Sequence, residues 1–135
     1  MMQPAYFESR FRIASLPTEW PARFAILSAW ATTGQTWTFE ANGSADRNLS
    51  VRLAAAGLGH GRLTGYSPAT AHAEPSWACA LAWDEACDWG QEFRQDSICS
   101  VGGDDLSVSH CDDRHRLLPV GRFRQRLDWD LERKD

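Results

Sequence analysis

No stretch of this sequence approaches the roughly 18 consecutive apolar residues that a membrane-spanning helix requires. The opening run MMQPAYFESRFRI has neither the basic segment nor the apolar core of a secretory signal. The expected location is therefore the cytoplasm. The four cysteines, Cys79, Cys87, Cys99 and Cys111, never form the C-x-x-C pair that marks zinc and redox sites. Buried, reduced thiols are the favoured reading, ahead of a disulfide and then of a metal site. Also missing are a phosphate-binding loop, a GxGxxG turn, an HExxH helix and a serine elbow, and with them the commonest signatures of nucleotide, metalloprotease and hydrolase chemistry. There are no internal repeats and no low-complexity tracts.

What is present is ordinary in amount and unusual in layout. A chain of 135 residues with 43% apolar and 24% charged content fits one globular domain over 1–135. Its core is expected over about 10–112, with a basic extension over 114–135. Seven tryptophans supply bulk for the core. The net charge of −4 divides unevenly. Residues 1–60 carry five Arg against four acids, residues 61–113 two Arg against ten acids, and residues 114–135 seven Lys and Arg against four acids. Such polarity along a chain points towards a charged partner.

Periodicity sets the elements. FRIAS near residue 11 alternates like a strand with Phe11 and Ile13 on one side, and RFAILSAW (23–30) is an apolar run suited to a central strand buried on both faces. Gly34, Asn42 and Gly43 read as breakers, so a first helix is expected from an N-cap at Ser44 through Leu49, Leu53 and Ala56, stopped by Gly57 and Gly59. HGRLTGYS reads as a strand and SPATAHAEP as a loop. SWACAL alternates, with Trp77, Cys79 and Leu81 on one face. A second helix follows with a core stripe of Ala82, Ala86, Gly90 and Phe93. GGDD turns a hairpin between SICSV and LSVSHC, and the tail GRFRQRLDWDL could add a last strand. The order predicts an α+β, two-layer, ferredoxin-like β-α-β-β-α-β core, two helices on one face of a mainly antiparallel sheet, with extra strands at the termini. Trp30, Trp77, Ala86 and Phe93 are expected to be largely buried.

Candidate sites are few. At 100° per residue Glu85, Asp88, Glu92 and Asp96 share a face of the second helix away from its core stripe. A solvated face is their plain reading, but such faces normally interleave cations at i+4. An uncompensated stripe suggests a basic protein partner, or the chain's own basic tail. Arg122, Arg124 and Arg126 would form a row on a tail strand, yet net acidity argues against nucleic acid. His110, Cys111, Asp112 and His115, with Cys79 or His72, contain zinc-type donors, but adjacent strand residues face opposite ways, so no metal or other cofactor is expected. His60 reads as a turn residue.

Segment 23–111 resembles the domain family catalogued as DUF3293, a bacterial group of unknown function, through FAILSAW, Asn48, Leu53, EPSW (74–77) and GQEFRQDSI (90–98). The family commonly follows its first strand with Asn-Pro, where this chain has ATTG. The resemblance implies no activity, and it draws notice to Asn48, Glu74, Ser76 and Gln95. Two functions stay open. One is a small acidic, non-catalytic module that binds or regulates a protein, comparable in size and charge to immunity proteins, antitoxins and inhibitors. The other is a ligand-binding protein or enzyme with a polar pocket near Glu74, Asn48 and Gln95.

Overall fold

The computed structural model describes residues 9–13, 21–30, 38–58, 60–68, 73–111 and 117–129. Among these residues eight strands and two α-helices follow one another as β1 (Arg10–Ile13), β2 (Arg23–Leu27), α1 (Phe39–Ala55), β3 (His60–Tyr66), β4 (Ala73–Cys79), α2 (Trp83–Glu92), β5 (Ser97–Gly102), β6 (Asp105–His110), β7 (Leu118–Arg122) and β8 (Leu127–Trp129). All strands join one sheet in the order β7-β6-β5-β2-β4-β3-β1-β8, antiparallel except where β8 runs parallel to β1.

This arrangement overturns the expected two-layer ferredoxin-like sandwich. The sheet is mixed and curls into a half-barrel. The reason lies in β2, whose central run is apolar on both sides. Ala25 and Leu27 enter a core with Leu49 and Leu53 of α1, Cys79 of β4, Ala86 and Cys87 of α2, and Ile98 of β5. Phe24 and Ile26 enter a second core with Phe11, Ile13, Leu63, Ala78, Val101, Leu106 and Phe123. A sheet with two apolar faces cannot leave one in water, and curling encloses the second face. An eight-stranded curl has an interior just wide enough for side chains to fill.

The tail achieves the enclosure. β7 and β8 lie at opposite edges of the sheet, yet only residues 123–126 connect them, Arg124–Arg126 as a 3-10 turn. A link that short spans at most about 17 Å, so the edges are close in space. Phe123 projects inward, its ring 5.6 Å from that of Phe11 and 5.2 Å from that of Phe24. The tail arginines therefore do not form a row on one strand.

Local chemistry corrects three details. α1 starts at Phe39, because the Thr38 hydroxyl caps the helix by accepting from the Ala41 N–H at 3.0 Å; Ser44, Asn42 and Gly43 lie inside it. Its stop at Gly57, φ +71°, is as expected, with Leu58 N–H donating to the Leu53 carbonyl. In α2 the buried face is Ala86, Cys87 and Gly90, while Ala82 is the exposed N-cap. Trp30, Trp77 and Phe93 are only half-buried. Between β5 and β6, Gly103 at φ +63° and Asp104 form the two-residue turn, with glycine first as in a type II′ hairpin. Gly34, Gly59, His72, Asp112 and His115 lie outside the described residues.

Candidate functional site

The acidic residues anticipated on α2 reach solvent in a modified form. Glu85, Asp88, Glu92 and Asp96 are all exposed. Asp84 and Glu85 occupy the first turn, where carboxylates favour the helix dipole. The stripe is not without internal compensation, however. Arg52 of α1 crosses to α2 and pairs with Glu92, its guanidinium lying 5.6 Å from the Trp89 ring and 5.7 Å from that of Phe93. Nor does the helix extend to Asp96. It ends in a left-handed turn at Arg94, φ +59°, with Arg94 N–H donating to Gln91 and Gln95 N–H to Gly90. Asp96 therefore sits in the following loop, its carbonyl accepting from Cys111 N–H at 2.9 Å.

The tail arginines work elsewhere. Arg122 reaches Asp104 at 3.3 Å and Asp105 at 3.1 Å, and the Arg124 N–H donates to Asp104 at 2.9 Å, so this part of the tail braces the β5–β6 turn. Arg126 donates to the carbonyls of Ser9, at 3.0 Å, and Val120.

The four polar motif residues serve mainly as ties. Gln95 donates through Nε2 to the Trp30 carbonyl at 2.7 Å and to the Phe93 carbonyl at 3.2 Å, fastening the end of α2 to the exit of β2. Ser76, 5% exposed, donates to the Glu74 carbonyl at 3.2 Å. Glu74 is half-buried at the start of β4, and Asn48 stands exposed on α1. No hydrogen bond among the described residues joins Asn48, Glu74 and Gln95 into one pocket.

Two arginine-centred clusters went unforeseen. Arg62 of β3 grips Asp46 of α1 with two 2.8 Å hydrogen bonds and lies 4.3 Å above the Trp77 ring, whose Nε1 also donates to Asp46 at 3.2 Å. Arg10 of β1 grips Asp128 of β8 with two 2.8 Å bonds, and the Tyr66 hydroxyl of β3 donates to the same carboxylate. The Arg10 guanidinium holds the Asp128 carboxyl down at about 2. Arg12, exposed, lies 4.1 Å above the Tyr66 ring. No local motif announces either cluster, since Arg10 and Asp128 are 118 residues apart in sequence.

The cysteines are free; Cys79, Cys87 and Cys111 are buried and Cys99 half-buried. Burial pushes the Cys79 and Cys99 thiols up to about 12. Among the described residues no three His, Cys, Asp or Glu side chains gather as a metal site, and no helix is long and apolar enough to cross a membrane.

The model of the DUF3293 family, described as a protein of unknown function, matches residues 27–98, from the end of β2 into the start of β5. No curated protein and no solved structure matches the chain.

Proposed function

The chain belongs to the DUF3293 family, which brings no activity with it, and on its surface chemistry we propose that it is a small non-catalytic binding module that presents α2 to a basic protein surface. One observation carries this reading: Glu85, Asp88, Glu92 and Asp96 are all exposed along α2 and the loop after it, while Arg122 is spent on Asp104 and Asp105. Four exposed carboxylates on one face, even with partners inside the chain, present a negative field that steers a cationic partner and raises its on-rate. The rival reading, a pocket built by Glu74, Asn48 and Gln95, has less support. Gln95 spends its amide on the carbonyls of Trp30 and Phe93, and Asn48 shares no hydrogen bond with the other two.

Glu92 anchors Arg52, and Asp88 has a partner of its own, so the test reverses Glu85 and Asp88 and holds stability constant. Immobilised protein should retain basic proteins from an extract of its own cells, with retention falling as salt rises. The Glu85→Lys/Asp88→Lys variant, matched for thermal stability, should lose them. Equal retention by the variant would end this reading.

A further inference from the structure

Beyond Trp77 the outer face of the half-barrel passes from the helices to a polar surface. The helices pack chiefly on β2, β4 and β5. Leu63 faces the inner core and Arg62 faces α1, so strand alternation puts Thr64 and Tyr66 outward beside Arg62. Phe11 and Ile13 face inward, which turns Arg10 and Arg12 outward as well. Register sets Arg12 opposite Thr64 and Arg10 opposite Tyr66. None of Arg10, Arg12, Thr64, Tyr66 and Asp128 is fully buried.

On this face Arg10 and Arg62 each hold a carboxylate through two hydrogen bonds. Arg12 differs. It is exposed and makes no direct ion pair among the described residues, although it stands opposite Asp128 in the β1–β8 register and adds to the positive field on that carboxylate. Its guanidinium lies over a ring that is itself fixed, because the Tyr66 hydroxyl donates to Asp128 and Arg10 clamps Asp128 in turn. Among the described residues, three guanidiniums face the carboxylates of Asp46 and Asp128 here, a positive balance within an acidic chain.

We propose that Arg12 and Thr64 form an oxyanion-binding site on this face, for a carboxylate or phosphate group carried by a ligand or partner. The planar fork of arginine matches both groups, and the Thr64 hydroxyl offers a further donor across the strand pair. A guanidinium already stacked on a ring has lost much of the freedom that binding would otherwise cost, so the site is pre-organised. The site is independent of the acidic residues on α2.

The test follows the backbone amides of Thr64 and Tyr66 and the Arg12 Nε–H by NMR at low salt, in titrations with inorganic phosphate and with a hexaglutamate peptide. Saturable shifts centred on these three groups are expected with at least one probe. They should weaken at least tenfold in Arg12→Gln, weaken less in Arg12→Lys, and persist in Glu85→Lys/Asp88→Lys. A response to phosphate alone assigns a phosphorylated ligand, and a response to the peptide an acidic protein. No saturable shift with either probe, or shifts unchanged in a folded Arg12→Gln, would overturn the proposal.

Discussion

Gly90 shows how one residue fixes a helix on a sheet. A Cβ there would stand 2.4 Å from the Cys111 sulfur and 3.0 Å from Cγ2 of Ile98, so α2 approaches β5 and the end of β6 as closely as backbone permits. In an open helix Gly→Ala gains about 1 kcal/mol. Here the sign reverses, and Gly90→Ala should cost about 1–3 kcal/mol through overpacking, measured by urea denaturation. Arg94 presents the opposite case. It holds the left-handed position of a helix stop that normally takes glycine, at φ +59°. Arg94→Gly should therefore stabilise the protein by about 0.5–1 kcal/mol, read as a higher denaturation midpoint. The place of Gly90 in a buried stripe was legible, because helical spacing puts it four residues after Ala86. Its need to be glycine was not, since Cys111 arrives from another element. The positive φ of Arg94 was equally hidden, because arginine carries no turn signal.

Among the elements, β8 shows how three residues can be secured. Its Asp128 is tied by Arg10 to β1 and by Tyr66 to β3. The Arg10 guanidinium, helped by the Tyr66 hydroxyl, holds the carboxyl at about 2 against an ordinary 3.8. A folded-state value below the unfolded one stabilises the protein fully above about pH 4, and that contribution disappears as pH falls towards about 2. The side chain is 35% exposed, so solvent screening keeps the effect modest. Asp128→Asn should melt below the wild type at about pH 6, and the gap should close between about pH 4 and 2; a gap independent of pH would refute the assignment. Strands that carry their own signal were readable: β2 by its unbroken apolar run, β5 and β6 by the turn between them. The alternation of the tail announced a last strand, and β8 lies within it, but its parallel pairing with β1 was hidden because it joins segments more than 110 residues apart. α1 was misplaced at its start because Asn42 and Gly43 read as breakers, while the Thr38 hydroxyl sets the cap four residues earlier than Asn42.

At the scale of the molecule, the second core depends on closure, and closure depends on non-local contacts that alternation cannot reveal. The inward residues Phe11, Phe24 and Phe123 come from three distant segments and meet only because the sheet curls. One side chain spans the seam. Pro119 opposes Ser107 and Gly121 opposes Leu106, so Val120 is the extra residue of a bulge, where the ladder is locally disrupted. Arg126 donates to the Val120 carbonyl and, through its other terminal nitrogen, to the Ser9 carbonyl at the start of β1. Gly121, at φ +143°, leaves room for it, since a Cβ there would lie 3.3 Å from Nη2. Arg126 thus ties β7, one edge, to the start of β1, the neighbour of the other edge strand β8, and should govern local opening at the seam more than global unfolding. In Arg126→Ala, amide hydrogen exchange should quicken in β1, β7 and β8 by about tenfold or more, which corresponds to losing about 1.4 kcal/mol of local protection. The amides of β2, β4 and β5, packed beneath the helices, should exchange at wild-type rates. Uniform acceleration across all eight strands would instead make Arg126 one more contributor to global stability, and the half-barrel would open as a single unit rather than at its seam.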